Sequence, residues 1–332
     1  MILRYKNHFF TLQPPPTLEQ GIDLSVKSHF DDSRIELTRE LIRRKMAKEP
    51  ADFLKLLKPQ MENATPAYLS ALGNLVLKSY PRFLRSGGNA LNTGKLIQQS
   101  VFDPATAIKI RKQAIDYGLC QTPGDYLALM MPTKAELAGD PRSKLDALVI
   151  ETVDTFFDKR PNGKAVAHLL KHSTSLVSTA EAIMRRAIAE VVQSPAEYVL
   201  VTAPSTTNPS EAYRVAMGQV LKNTVSDLVK LKPGPASIKA LLAIHEESLR
   251  PAEVENLLTA LVNDVGWTRR ELSQITVKDP ESLTPGARKL FSAVPAVANG
   301  EPAKFGSQCR WFFKIFSIRP NRSGPPPGGA VQ

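Results

Sequence analysis

The chain has 332 residues, 42% hydrophobic and 23% charged, a balance that excludes wholesale disorder and leaves apolar surface for one large core or two smaller ones. Lysine and arginine number 43 against 32 aspartates and glutamates, a formal net charge of +11, which suits an acidic partner without choosing among nucleic acid, anionic lipid and an acidic protein face. The only cysteines are Cys120 and Cys309, so a disulfide framework and a four-cysteine zinc site are excluded and a reducing, cytoplasmic setting is expected.

Taken from the N-terminus, Met1 to Phe10 is interrupted by Arg4, Lys6 and His8 and offers no continuous signal-peptide core. No later stretch reaches the roughly 20 apolar residues of a membrane span. Residues 1–16, ending in Pro14-Pro15-Pro16, read as an N-terminal extension. Residues 17–300 read as a helical body with a boundary near 204–208, and residues 301–332 as a basic aromatic segment followed by a disordered Pro/Gly tail.

The helical body is punctuated by pairs in which a capping side chain precedes proline: Thr65-Pro66, Asp103-Pro104, Thr122-Pro123, Asp140-Pro141, Ser194-Pro195, Asn208-Pro209 and Thr284-Pro285. Proline at the first helical position loses nothing, because that N–H has no intrahelical acceptor. Capping-box spacings appear at Thr133/Glu136, Ser178/Glu181, Ser194/Glu197, Asn208/Glu211 and Thr268/Glu271. Between these starts the apolar residues recur at helical spacing, as in Leu145, Leu148, Val149, Val153 and Phe156. The expected fold is all-α, an irregular multi-helix bundle of short amphipathic helices. Met1 to Leu12, Tyr198 to Thr202 and Arg310 to Ile318 are rich in aromatic or β-branched residues and are candidates for a minor β element. The segments beginning at Pro235 and Pro251 resemble one another, which shared capping rules explain. The likeness does not extend to a third unit, and tetratricopeptide and ankyrin consensus residues are absent.

No constellation identifies a catalytic residue, a metal site or a cofactor, so an enzyme is not the favoured reading. His168 and His172 share a helix face, but Leu169 stands where a zincin helix needs its glutamate and no third ligand is indicated. Ser86 to Lys95 is glycine-rich, yet its spacing departs from a phosphate loop and Leu96 replaces the magnesium-binding hydroxyl. Arg160, Ser173-Thr174-Ser175 and Glu253-Val254-Glu255 resemble, in order, the Arg, Ser-Thr-Ser and Glu-x-Glu elements of arginine-type ADP-ribosyltransferases. That family carries them on strands around NAD, whereas Glu253 and Glu255 follow Pro251 in the first turn of a helix.

Two basic regions remain as candidate binding surfaces. Lys78, Arg82, Arg85 and Lys95, with Tyr80 and Phe83 interleaved, form a candidate nucleic-acid or phosphate site if the rings are free to stack on bases. Arg310, Trp311, Phe312, Phe313, Lys314, Phe316 and Arg319 combine aromatics with positive charge, the pairing that favours an anionic membrane or a partner surface. The leading functional expectation is a non-catalytic binding or adaptor protein whose partner is another protein. Nucleic-acid binding through Lys78 to Lys95 is the alternative.

Overall fold

The computed structural model describes residues 8–12, 14–28, 30–59, 64–137, 140–203, 210–245, 249 and 251–275. The fold is an all-α multi-helix bundle, with fifteen α-helices and no strand among the described residues. In chain order they are α1 (Leu18–Lys27), α2 (Asp31–Arg43), α3 (Pro50–Leu56), α4 (Pro66–Arg85), α5 (Ala90–Ser100), α6 (Pro104–Asp116), α7 (Pro123–Met130) and α8 (Asp140–Phe157). There follow α9 (Gly163–Ser173), α10 (Val177–Glu190), α11 (Pro195–Thr202), α12 (Glu211–Lys230), α13 (Pro235–Ile244), α14 (Pro251–Ala260) and α15 (Arg269–Ser273). A 3-10 turn at Lys134–Glu136 follows α7, and α14 runs into a π-helical turn at Leu261–Val265.

Four of the proline starts cap as the spacing predicts, whereas at Asp140-Pro141 the helix begins at Asp140 itself. Thr65, Asp103, Thr122 and Ser194 each accept a backbone N–H from the first turn of the helix that follows, which satisfies one of its orphan donors. Thr122/Asp125 is a complete capping box, and at Thr133/Glu136 and Thr268/Glu271 the glutamate accepts the N–H of the cap residue. Ser178 is not a cap, because α10 begins at Val177 and Leu176 stands at its N-cap, where Asp146 accepts from the N–H groups of Ser175 and Leu176 just ahead of the helix. Asn208 lies outside the described residues, and α12 is capped by Ser210. Tyr198–Thr202, a candidate strand, is the body of α11, where tertiary burial of Tyr198 and Val201 overrides β propensity. Of the other two candidates, His8 to Thr11 is a hydrogen-bonded turn, whereas Met1–Asn7 and Arg310–Ile318 lie outside the described residues.

The chain forms two compact units, one carrying α1 to α10 and the other α11 to α15, divided after Val191. Unit 1 is a two-layer stack of αα-hairpins. The odd-numbered helices α3, α5, α7 and α9 pack in succession in one layer, and α2, α4, α6, α8 and α10 in the other. Unit 2 repeats the scheme with α11 on α13 and α12 on α14.

A longer period lies over the hairpins. Glu49-Pro-Ala-Asp-Phe53, Thr122-Pro-Gly-Asp-Tyr126 and Ser194-Pro-Ala-Glu-Tyr198 open α3, α7 and α11, with starts 73 and 72 residues apart. Two hairpins therefore make one repeat: α3 to α6, α7 to α10 and α11 to α14. In the second repeat Tyr126 Oη bonds Thr152 Oγ1 at 2.9 Å, and in the third Tyr198 Oη bonds Thr224 Oγ1 at 2.7 Å, both across 26 residues. Each threonine donates its own proton to the carbonyl four residues back, Leu148 or Val220, which leaves it to accept from the phenol; Tyr126 Oη also reaches Val149 O at 3.3 Å. In the first repeat Phe53 and Ser79 hold the same places, and Ser79 Oγ likewise donates to the carbonyl four residues back, Leu75 O, with no phenol to accept from. The ring of Phe53 meets Phe83 edge-on at 5.8 Å, as Tyr126 meets Phe156 at 5.3 Å in the second repeat.

Backbone conformation keeps the same period. The turn after the second helix of each repeat passes through a left-handed residue, Gly87 (φ 94°), Arg160 (φ 51°) and Lys232 (φ 50°), two residues before the N-cap of the next helix. A left-handed conformation costs a non-glycine residue about 1–2 kcal/mol, and a cation beside the terminal carbonyls recovers part of it. The likeness of α13 and α14 at Pro235 and Pro251 is thus that of two arms of one hairpin, and the true period is about four times longer.

Candidate functional site

Because the helices alternate in direction, each unit has two edges. Turns inside hairpins lie on one, here the hairpin-turn edge, and connections between hairpins lie on the other, the junction edge. Hydrogen bonds establish this: Gln98, near the end of α5, donates to Met131 O and Pro132 O beyond the end of α7 at 2.9 and 2.8 Å. Arg82, near the end of α4, reaches Ile42 O near the end of α2. In unit 2, Trp267 Nε1 donates at 3.1 Å to Pro233 O in the turn between α12 and α13.

Exposed apolar side chains are not shared equally between the edges. Val26, Phe30, Phe102, Leu137 and Leu176 of unit 1 lie at its hairpin-turn edge, against Leu91 and Tyr117 at its junction edge, with Leu12 ahead of α1 and Ile150 midway along α8. In unit 2 the exposed large apolar residues Leu200, Val215 and Ile244 all lie towards its own hairpin-turn edge.

The turns of unit 1 that present these residues are built from buried polar groups. Before α2, the buried Arg34 donates from Nε to Ser28 O at 2.7 Å and fixes the turn that carries Phe30. Beside Phe102, Asp103 caps α6 through the N–H of Thr106 at 2.9 Å. Burial pushes the Asp103 carboxyl up, but bonds from Thr106 and Ala105 outweigh it and hold the group below its ordinary range. Between α9 and α10, Arg142 spans His172 O and Thr174 O at 2.9 and 3.1 Å, while the fully buried Asp146 takes the N–H of Ser175 at 2.8 Å and its hydroxyl. That network sets Leu176 outward. In the turn after α7, Arg111 donates to Leu129 O at 2.7 Å, to Met131 O at 2.9 Å and to Glu136, and both partners of this ion pair are fully buried. Leu137 follows directly and is 62% exposed.

Burial removes the two rings from the candidate nucleic-acid or phosphate site. Tyr80 and Phe83 are fully buried, stacked on each other at 5.7 Å, and Tyr80 Oη pairs with Thr93 Oγ1 at 3.1 Å. Neither ring is available to a base. Helical periodicity explains the misreading, since 76, 79, 80 and 83 share the inward face of α4 whereas 78, 82 and 85 alternate with them in the chain. Lys78, Arg85 and Lys95 are exposed, but Arg82 is half-buried on Ile42 O. The glycines beside them form a helix-to-helix turn, with Asn89 capping α5. The aromatic segment Arg310 to Arg319 lies outside the described residues.

The remaining chemical candidates resolve as structural. The rings of His168 and His172 lie 4.4 Å apart, and burial, then the charge of His168, holds His172 below its ordinary pKa. No group of three metal-ligating side chains occurs among the described residues. Burial pushes the Cys120 thiol up to about 11, which leaves it unreactive. Ser173 to Ser175 sit at the end of α9 and the turn after it, and Glu253 and Glu255 lie on α14, so the transferase-like elements are not carried on strands. A cleft of about 10 Å³ among Tyr198, Leu221, Val225, Leu241 and Leu257 has room for roughly one water. Sequence reading missed the hairpin-turn edge because single apolar residues in turns, such as Phe30, Leu137 and Leu176, carry no periodic signal.

No described helix is long and apolar enough to cross a membrane. No known protein family matches the chain, and no curated protein or solved structure is similar to it.

Proposed function

We propose that this chain is a non-catalytic binding or adaptor protein of the cytoplasm that holds another protein against its stacked helices. The observation that carries the reading is the repeat itself: αα-hairpins stacked in two layers, with the same aromatic and capping positions returning after 73 and 72 residues. Stacked helical repeats generate extended faces whose exposed residues vary freely while the buried positions hold the scaffold. Tyr126 and Tyr198 are such scaffold positions, fully buried and hydrogen-bonded.

The test is capture of binding proteins on the intact chain, followed by titration of the purified candidate at increasing salt. A saturable 1:1 complex that tolerates salt supports the reading. If the only macromolecule bound is nucleic acid, with affinity falling steeply as salt rises, the reading fails.

A further inference from the structure

The hairpin-turn edge of unit 1 is apolar at its tips and cationic between them. Phe30, Phe102, Leu137 and Leu176 are 64%, 38%, 62% and 44% exposed, each in a turn or just before a helix start. Exposing four such side chains on one edge forfeits burial, and the turns that hold them are fixed by Arg34, Asp103, Asp146 and the Arg111–Glu136 pair. The exposure is therefore built in rather than left by loose packing.

Charge identifies what covers this edge. Lys58 follows α3, Lys134 lies in the turn after α7, Lys144 in the first turns of α8 and Lys171 in the last turn of α9. All four are exposed at the hairpin-turn edge and none has an ion-pair partner among the described residues. Of the acidic groups at this edge, Asp32 in the first turn of α2 is exposed and four others are engaged. Asp23 pairs with Lys27, Asp31 accepts from Thr65, Asp103 caps α6, and Glu136 is held by Arg111. The junction edge is cationic as well, with Lys45, Lys48, Arg85, Arg160 and Lys164 exposed there, so what sets the hairpin-turn edge apart is that its lysines stand among exposed apolar tips.

We infer that the hairpin-turn edge of unit 1 is a docking surface for an anionic lipid bilayer, with Phe30, Phe102, Leu137 and Leu176 entering the headgroup region and the four lysines meeting lipid phosphates and carboxylates. A bilayer requires only that tips reach a common edge, and it accepts side chains scattered over several turns. A peptide partner would need a groove to receive it. Apolar insertion and cationic attraction reinforce each other at such an interface. This surface is separate from the helix faces proposed to hold a protein, so either reading stands without the other.

Co-sedimentation of the full chain with phosphatidylcholine vesicles, with and without phosphatidylserine, tests the inference. Binding is expected only with phosphatidylserine. Replacing Lys58, Lys134, Lys144 and Lys171 by Gln should weaken it by roughly fivefold per lysine. The triple variant Phe30→Ser, Leu137→Ser, Leu176→Ser should abolish it, whereas Leu91→Ser with Tyr117→Ser at the junction edge should leave it unchanged. Circular dichroism checks that each variant is folded, and the lysine variant reports independently if the apolar one is not. Failure of the native chain to bind, or undiminished binding by the folded edge variants, overturns the inference. The second outcome would place membrane contact elsewhere in the chain.

Discussion

The first and second repeats solve one packing problem with different chemistry. Phe53 and Ser79 in the first stand where Tyr126 and Thr152 stand in the second, and both pairs are set 26 residues apart on the first and second helices. Where the ring carries a hydroxyl, its partner is a threonine that accepts it at 2.9 Å. Where it does not, the partner is a serine that donates to its own helix at Leu75 O, as Thr152 donates to Leu148 O, and only the bond from the ring is missing. Ring burial is thus the constant of the repeat, and the polar latch is an addition present only where both partners supply it. Without the threonine, Tyr198 Oη would lose the bond to Thr224 and Tyr126 Oη would keep only the longer one to Val149 O at 3.3 Å, and a buried phenol left without a partner is costlier than no phenol at all.

The polar network at Arg111 breaks the repetition more deeply. Arg111 is the eighth residue of α6, and the eighth residue of α10 is the fully buried Met184. Removing one partner of a buried ion pair strands the other, at about 3–5 kcal/mol, the largest single-site loss expected in the molecule. Glu136→Gln should therefore unfold unit 1 at markedly lower denaturant. Arg111→Met combined with Glu136→Gln should recover most of the loss, because Met is already tolerated at the corresponding place. Equal midpoints for the single and double variants would show that the charges are not coupled.

Unit 2 carries the titratable counterpart. His245 is fully buried, neither ring nitrogen has a partner among the described residues, and burial pulls its pKa down to about 4 from 6.5. The unfolded chain binds the proton more readily, so stability is full above pH 6.5 and falls as pH drops toward 4. The loss approaches about 3 kcal/mol at the acid end. Fluorescence of the buried Trp267, in a Trp311→Phe background, should report it, and His245→Leu should flatten that window. An unchanged pH profile in the variant would assign the acid sensitivity to other groups.

The contact between the first and second repeats depends on a missing side chain. A Cβ at Gly94 of α5 would collide with the carbonyl oxygen of Ala128 on α7, whereas one at Gly73 of α4 would meet only Thr106 Cγ2 at 4.0 Å. Gly94→Ala should cost about 1–3 kcal/mol through overpacking against backbone. Gly73→Ala should be neutral or stabilise by up to about 1 kcal/mol, as helix propensity dictates. Thermal melts of both compare them directly, and equal effects would mean that α5 and α7 do not approach so closely.

Much of the helical layout is legible in the sequence because capping is local. Thr65, Asp103, Thr122 and Ser194 announce their helices through a side-chain oxygen and a following proline, with no reference to the rest of the fold. The repeat is not legible in the same way, because it survives in a handful of positions per repeat. Proline, an acidic third residue and a buried ring recur, whereas the long helices between them share only their apolar spacing. Tyr198 to Thr202 misleads for the opposite reason, since its composition favours a strand and its hydrogen bond to Thr224 is visible only once α12 is folded. The exposed turn residues were unreadable because exposure belongs to the packing of neighbours and not to the residue.

The most direct test of the repeat is a pair of double-mutant cycles, Tyr126→Phe with Thr152→Val and Tyr198→Phe with Thr224→Val, read by denaturant unfolding with a probe in each unit. Each phenol–threonine bond should couple with the same sign and similar size, about 0.5–1.5 kcal/mol. Coupling at one latch and none at the other would contradict the account, because the two would then not be the same structural position.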